Sequence, residues 1–218
     1  MSTIRLVVPL IVLATVLSAA CGPVDVERTP ETPTEPARTE EPEPDTDSEP
    51  ILDPTDDADA IQINIHDAVA DGDLEQVQAA LDQGADVNSA ALLGLTPLHG
   101  AARNGYLQVA ELLTMAGAEV DARSDLGFTP AHAAAHGNHG DMMQLLIDNG
   151  ADVDAQDHNG YAPLHRAAVY GNTEVSLVLL ANGADVNLTR KDGATALDIA
   201  ETRSHSETAD LLREHGAQ

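Results

Sequence analysis

Several residue types are scarce in this sequence. Its 218 residues include one cysteine, Cys21, no tryptophan, one Phe and three Tyr. A single thiol cannot form an internal disulfide, so the disulfide framework of small secreted domains is excluded. Lysine and arginine together number 10 against 37 aspartates and glutamates, giving a formal net charge of -27. A nucleic-acid partner is not expected, because phosphate binding needs a basic face. A basic protein partner, or simple solubility, fits this charge better.

Motifs for catalysis are also missing. The sequence contains no Gly-rich phosphate loop and no serine in a nucleophile elbow. Carboxylates are plentiful, but Asp86, Asp152 and Asp185 recur with the repeats described below, which indicates a role in the architecture. We therefore expect no enzymatic activity, no cofactor and no small-molecule substrate.

The main apolar stretch near the amino terminus is short. It covers residues 6–17, follows Arg5 and precedes a group of small residues. As a helix it would rise about 18 Å, whereas the apolar core of a bilayer is about 30 Å thick. A charged start, a short apolar region and small residues form the layout of a secretory signal peptide. We predict such a peptide over residues 1–20.

The end of this stretch carries a second signal. Residues 17–22 read Leu-Ser-Ala-Ala-Cys-Gly, which resembles the lipobox of bacterial lipoproteins, although Ser18 stands where leucine is commonest. The resemblance implies cleavage before Cys21 and lipidation of its sulfur, which would anchor the protein to a membrane. Gly22 in place of an aspartate implies the outer membrane, facing the periplasm or at the cell surface. The alternative is an ordinary signal peptide followed by a chance cysteine.

The segment after Cys21 is rich in proline and acid. Residues 22–60 hold 14 acids and 2 arginines. Such a composition lacks the apolar area that would offset the entropy of ordering. We predict a disordered acidic tether over residues 21–58, with an extended reach on the order of 110 Å. It would lift a folded domain off the membrane, and docking of a peptide-binding protein on its prolines is the alternative.

The rest of the chain repeats every 33 residues. Thr96-Pro97-Leu98-His99 returns at 129–132 and 162–165, and in altered form at 195–198. A second marker, Gly-Ala-Asp-Val-Asn at 84–88, returns at 117–121, 150–154 and 183–187, and a Gly recurs at 94, 127, 160 and 193. Three markers with one period predict a repeat architecture.

The period and the Thr-Pro-Leu-His box resemble the ankyrin-repeat family. The resemblance implies an all-α solenoid, in which helix-turn-helix units are joined by β-hairpin-like loops. We expect five units, over residues 59–90, 91–123, 124–156, 157–189 and 190–218. Thr96 and Pro97 suit the first positions of a helix, and Gly105 suits a left-handed turn, with Asn138 as the next best residue there.

The nine histidines admit two interpretations. The resemblance implies that His66, His99, His132 and His165, at one repeat position, bond to neighbouring backbone and are structural. The alternative is a periplasmic protein that binds a metal or small ligand through His136, His139 and His158. No cysteine is available in the repeats, and carboxylates are not spaced as a recognisable site, so we predict no metal site.

Non-repeating residues are the candidates for specificity. The resemblance implies that a protein partner contacts the hairpin tips and the concave face of the inner helices, and aromatic residues and arginine are enriched at interface hot spots. The predicted partner-binding residues are Leu92, Leu93, Arg103, Leu126, Phe128, His136, His158, Tyr161, Arg166 and Tyr170. Phe128 and Tyr161 should lie side by side, in a row continued by Leu95 and Ala194. A Phe128→Ala, Tyr161→Ala variant is expected to fold and lose its partner.

Two functional classes follow from the sequence. The first is a membrane-tethered protein-binding module of the bacterial envelope, serving either as a scaffold or protector of an envelope protein or as an immunity protein that neutralises an exported toxin. The second is the histidine-based ligand-binding protein.

Overall fold

The computed structural model describes residues 63–218. The predicted signal peptide, Cys21 and the predicted tether lie outside these residues. The described part contains ten α-helices and a short 3-10 turn at Leu92–Gly94. The helices are α1 (Ile65–Asp71), α2 (Leu74–Asp82), α3 (Pro97–Asn104), α4 (Leu107–Met115), α5 (Pro130–Gly137), α6 (Gly140–Asp148), α7 (Pro163–Tyr170), α8 (Thr173–Ala181), α9 (Ala196–Thr202) and α10 (Ser206–Glu214). The all-helical repeat fold expected from the sequence is confirmed.

The first helix of each central pair begins at the Thr-Pro-Leu-His box or a close variant of it. Thr96 is extended at the N-cap of α3, and Pro97 takes the first helical position, where its missing N–H costs nothing. The histidine side chain completes the cap: the backbone N–H of Thr96 donates to Nδ1 of His99 at 3.1 Å. The fixed spacing of this box therefore sets where every central pair starts.

A left-handed residue ends each first helix and turns the chain into the second. Gly105 has φ 73° at the C-cap of α3, and Asn138 has φ 58° at the equivalent place in α5. Ser204 takes the same conformation, with φ 61°, in the last pair. Glycine and asparagine reach this region more easily than other residues, as the sequence predicted for Gly105 and Asn138.

The pairs stack into two layers around one continuous core. First helices pack on first helices and second helices on second helices, from α1 and α2 through to α9 and α10. Small residues such as Ala101, Ala134 and Ala168 are buried between the first helices, while larger ones such as Leu113, Leu146 and Leu179 are buried under the second helices. The small side chains allow the first helices to approach closely. None of the helices within residues 63–218 has the length and apolar character needed to cross a bilayer.

Candidate protein-binding face

Adjacent hairpins are joined to one another by backbone hydrogen bonds. Within a hairpin, the N–H of Ser124 donates to the carbonyl of Phe128 at 2.9 Å, and the N–H of Asp157 donates to that of Tyr161 at 2.8 Å. Between hairpins, Asp125 donates to the carbonyl of Leu93 at 2.9 Å. The β-hairpin-like loops expected from the sequence are thus a continuous edge of paired turns. No residue of the described chain is assigned to a strand.

The tips of two hairpins expose large apolar side chains. Leu92 is 82% exposed, Leu93 51% and Leu126 58%. Leu93 also adopts a left-handed conformation, with φ 63°, which is strained for a bulky residue. An exposed leucine side chain contributes little to the stability of the fold, and a left-handed backbone at leucine reduces it. Exposure and strain at Leu93 therefore both favour a role in binding.

The Phe128 ring is packed among neighbouring side chains of the stack. It is half-buried and packs against the core, with ring centroids 5.1 Å from His132 and 6.4 Å from His99. Its backbone carbonyl accepts a hydrogen bond from Nε2 of His99 at 2.9 Å. The ring therefore bridges two units of the stack, which contradicts the expectation that a Phe128→Ala, Tyr161→Ala variant folds normally.

Tyr161 lies beside Phe128, as the 33-residue period predicted. The guanidinium carbon of Arg166 is 5.5 Å from the Phe128 ring and 4.6 Å from the Tyr161 ring. Arg190 also lies over the Tyr161 ring, at 4.9 Å, and donates to its hydroxyl. Both aromatic rings are thus held by neighbouring repeats. The Phe128→Ala, Tyr161→Ala variant is now expected to lose thermal stability.

Arg166 is fixed by an ion pair. Its Nη2 lies 2.6 Å from Oδ2 of Asp157, whose side chain is only 2% exposed. Burial alone would raise the pKa of Asp157, but the hydrogen bonds from Arg166 and from the N–H groups of Tyr161 and Asn159 outweigh it and lower the pKa below its ordinary value. Arg166 is therefore a charged, pre-positioned group.

Arg103, His136 and Tyr170 lie on the exposed side of the first helices. The His136 and Tyr170 rings meet edge to face at 4.3 Å between centroids. Burial lowers the pKa of His136, and the charges of Arg103 and Arg166 lower it further. We call the surface formed by these residues and the hairpins the first-helix face.

The three histidines considered for metal binding do not form a site. Nε2 of His139 donates to the backbone carbonyl of Arg103 at 3.1 Å, His136 packs on Tyr170, and His158 is exposed at a hairpin tip. Among residues 63–218, no group of three or more His, Cys, Asp or Glu side chains is placed to hold a metal ion. The described structure therefore does not bring these three side chains together.

A groove lies on this face at the second and third units. Its lining includes Leu92, Leu95, Phe128, Gly100 and Ala133 together with Arg103, and its volume is about 250 Å³. We call it the first-helix groove. The groove combines apolar side chains with the exposed cation of Arg103. It is therefore suited to bind a partner segment in which an apolar side chain lies next to an acidic one.

Sequence reasoning missed a second groove on the opposite surface. It lies between α2 and α4, has a volume of about 580 Å³, and is lined by Leu74, Leu112 and Met115 with the acids Glu75, Asp82 and Glu111. Met115 is 87% exposed. An exposed methionine at the end of a second helix was the available signal. We call this the second-helix groove.

Sequence reasoning also missed side chains that join consecutive helix turns. His139, Asn172 and His205 occupy one repeat position, and each bonds to a backbone carbonyl of the preceding unit, at 3.1, 2.7 and 3.1 Å. Tyr106 fills the same position in the second unit and packs against Gly72. The residue types at this repeat position differ from unit to unit, so only their 33-residue spacing could have indicated a common role.

The comparison with family models agrees with this geometry. A model described as ankyrin repeats matches three times, over residues 65–157, 99–190 and 150–218. A comparison with curated proteins finds no significant match. Ankyrin repeats indicate a protein–protein interaction module, and proteins built from them are typically not enzymes. The matches cover most of the chain, which therefore belongs to the ankyrin-repeat family.

Proposed function

We propose that this chain is a tethered protein-binding module of the bacterial cell envelope. Its repeats would recognise a partner protein through the first-helix face, and a lipid on Cys21 would hold it at a membrane. The observation that carries the binding site is the exposure of Leu92, Leu93 and Leu126 at adjacent hairpin tips. Exposed apolar clusters of this kind typically mark interaction sites.

The location in the cell rests on the sequence of the amino terminus. A signal peptide over residues 1–20, a lipobox-like Leu-Ser-Ala-Ala-Cys and Gly22 support an anchor in the outer membrane. The domain would then face the periplasm or the cell surface. Several acyl chains, each stabilised by about 0.8 kcal/mol per buried methylene, would make the anchor effectively permanent.

Two roles fit such a module. It would either hold or protect an envelope protein, or neutralise an exported toxin as an immunity protein. The genes next to its own would separate these roles, since a toxin gene beside it favours the second.

Charge supports a basic partner in one respect. The net charge of -27 favours approach of a basic protein at long range. The second-helix groove, with apolar walls and an acidic rim, is the surface that complements such a partner at contact. It is the second candidate binding surface.

Affinity capture with matched variants tests the binding site. The parent chain, a Leu92→Ser, Leu126→Ser variant, a Met115→Ser variant and a Leu177→Ser variant are each used to capture proteins from envelope extract. Leu177 lies on α8 and is 50% exposed, so it controls for the loss of exposed apolar area. We expect one protein to be lost only with the hairpin variant. Its loss only with Met115→Ser would place the site in the second-helix groove, and equal recovery in all four would refute the proposal.

Fractionation of cells tests the anchor. A Cys21→Ala variant has no acceptor sulfur, so it should leave the membrane fraction and appear in the soluble fraction. If the variant partitions with the membrane as the parent does, the lipid anchor is wrong.

A further inference from the structure

One position on the second helices differs in the first unit from its counterparts in the other units. The four later units carry leucine or valine there, at Leu112, Leu145, Val178 and Leu211, and the first three of these pack against the core. The first unit has Ala79 at this position. Its shorter side chain leaves space between α2 and α4, where the second-helix groove lies with a volume of about 580 Å³.

Exposed apolar side chains border the second-helix groove on both helices. Leu74 is exposed at the start of α2, and Met115 is exposed at the end of α4. Met115 also departs from its repeat position, which holds an acid in three other units and alanine in the fourth, at Asp82, Asp148, Glu214 and Ala181. Exposed apolar area of this kind marks interaction sites, and the flexible methionine side chain adapts to the shape of a bound group.

The charged groups around this groove are acidic. Glu75 and Asp82 line it from α2, and Glu111 lines it from α4. The segments that flank these two helices and the next second helix, α6, add further acids, at Asp71, Asp73, Asp86, Glu119, Asp141 and Asp148. Within residues 63–122 the only lysine or arginine is Arg103, which lines the first-helix groove instead.

The acids that line the groove are not neutralised by a base of the domain. The ion pairs within residues 63–218 involve other carboxylates, namely Asp157, Asp192, Glu201 and Asp210. Asp82 accepts a hydrogen bond from Nε2 of Gln78 at 2.8 Å, which leaves its charge in place. A cationic side chain that enters the groove would therefore meet carboxylates that lack a charged partner.

The spacing of these residues fits a helical segment. Glu75 and Asp82 stand seven residues apart on α2, which is about 10.5 Å along the helix axis. A partner helix that lies along a groove presents its residues i, i+3, i+4 and i+7 on one side, over a similar length. Apolar residues on that side and basic residues at its edges would match the lining and the rim of the groove together.

The described part of this chain does not supply such a helix. Among the ten helices of residues 63–218, three carry one arginine each and none carries more, the three being Arg103, Arg166 and Arg213. Arg166 and Arg213 are already paired with acids. A second copy of a chain with a net charge of -27 would also be repelled. Charge complementarity therefore indicates a different protein.

We propose that the second-helix groove binds a basic amphipathic helix of another protein, with the apolar side of that helix over Ala79 and its Lys or Arg residues beside the acids of α2 and α4. This inference rests on the proposed function in taking the chain to be a protein-binding module, and it specifies the partner of the second candidate surface. Because this groove and the first-helix face lie on opposite surfaces, one molecule can hold two proteins at once.

Fluorescence anisotropy with a defined helical peptide tests this site. The probe has about 18 residues, enough to form a helix, with leucines along one side, lysines on the flanks and alanines elsewhere. The protein is the chain from residue 21 onward with Cys21→Ser. A control peptide of the same composition has its leucines spread around the helix, so it reports attraction by charge alone. We expect saturable one-to-one binding of the probe, at least about tenfold tighter than binding of the control.

Variants of the protein map the bound peptide. Ala79→Leu introduces the residue type of the later units and fills the groove, so it should weaken binding about tenfold or more. Met115→Ser leaves the space open but removes apolar area, and should weaken binding about fivefold. Circular dichroism checks that both variants keep the helical content of the parent. If Ala79→Leu disturbs the fold, Met115→Ser still decides the outcome.

A matched pair of charge variants tests the acidic rim. Glu111→Gln should weaken binding of the probe and reduce its dependence on salt, because one carboxylate beside the peptide is lost. Glu207→Gln removes an exposed acid of α10, at the other end of the stack, and should change the affinity by less than about twofold.

Three results would overturn the proposal: no saturable binding of the probe, equal binding of the two peptides, or affinity unchanged in both Ala79→Leu and Met115→Ser. The hairpins are intact in all these variants, and the probe is a defined peptide. The test can therefore fail while the first-helix face still binds a partner, and the capture experiment with hairpin variants can fail while this site stands.

Discussion

At the scale of single residues, two of the recurring histidines, His99 and His132, join one repeat to the next. In His132, Nδ1 accepts a hydrogen bond from the backbone N–H of Thr129 at 3.2 Å, and Nε2 lies 2.8 Å from the carbonyl of Tyr161 in the following unit. The first contact fixes the tautomer, so Nε2 carries the proton and donates. The contact to Nδ1 requires the neutral ring, because a protonated Nδ1 cannot accept, whereas the Nε2 donor is present in either form. Burial lowers the pKa of His132 to about 4, and it also lowers the pKa of His99 and His165.

This arrangement predicts that the domain loses stability in mild acid. The unfolded chain binds a proton at its histidines near pH 6.5, whereas folded His132 does so only near pH 4. Stability is therefore fully present above about pH 6.5 and falls as the pH drops toward 4, by about 3 kcal/mol from His132 alone. Urea unfolding measured from pH 7.5 to 4.5 checks this result.

A matched pair of variants identifies the histidine responsible. His132→Gln is less stable at neutral pH but should lose stability less steeply as the pH falls. His215→Gln removes an exposed histidine at the end of the chain and should keep the steep dependence of the parent. Equal slopes for the parent and His132→Gln would contradict the assignment.

Much of this residue-level structure could be predicted from the sequence. The shared position of the four histidines, and the resemblance to ankyrin repeats, indicated a structural role, which the contacts of His99 and His132 confirm. The burial of Phe128 could not be predicted, because it depends on how closely the next hairpin approaches. A ring at a turn looks the same in sequence whether it faces solvent or a neighbouring unit.

At the scale of elements, acidic and amide side chains connect the loops that follow the second helices. Asn88, Asp121, Asp154 and Asn187 occupy one repeat position, and each accepts a hydrogen bond from a backbone N–H of the next unit. The amides also donate: Nδ2 of Asn88 lies 3.2 Å from the carbonyl of Gly117. At this position asparagine therefore both donates and accepts a hydrogen bond, whereas aspartate only accepts.

Substitution of Asp154 tests this hydrogen bond between consecutive loops. Burial raises the pKa of Asp154, and the nearby carboxylates of Asp185 and Asp152 also raise it, so its charged form is unfavourable in the folded state. Asp154→Asn keeps the acceptor, removes the charge and adds a donor, and should be at least as stable as the parent at pH 7. Asp154→Ala leaves the N–H of Asp185 without this partner and should cost about 1 kcal/mol.

Thermal denaturation of the two variants gives the answer directly. The account predicts the order Asp154→Asn at or above the parent and Asp154→Ala below it. If both variants lose stability equally, the side chain does not connect the two loops in the way described.

The elements themselves were the most predictable feature. The Thr-Pro box and the Gly-Ala-Asp-Val marker define the start of each first helix and the loop after each second helix, and ten helices follow this pattern. The strained hairpin at Leu93 was not predictable, since the same repeat position elsewhere holds Leu126, Asn159 and Asp192. The glycine after it recurs in every hairpin, so the pattern gave no sign of a second left-handed residue.

At the scale of the whole molecule, charge divides the domain into two unlike surfaces. Of the seven basic residues within residues 63–218, six lie on the first-helix face, and the second-helix surface is acidic, while exposed apolar residues occur on both surfaces. Net charge alone favoured a basic partner, but a net value does not report which surface holds which charge. The repeat architecture was needed to place Arg103 and Arg166 on one face.

Site-specific photocrosslinking in living cells tests the central claim that the first-helix face binds a protein partner. A photoreactive residue is placed at Leu126, 58% exposed on a hairpin, or at Leu177, 50% exposed on a second helix. Both positions are similarly accessible, so they differ mainly in the face they report. The account predicts a discrete crosslinked protein from position 126 and none from position 177. A crosslinked protein from position 177 alone, or none from either position, would contradict it.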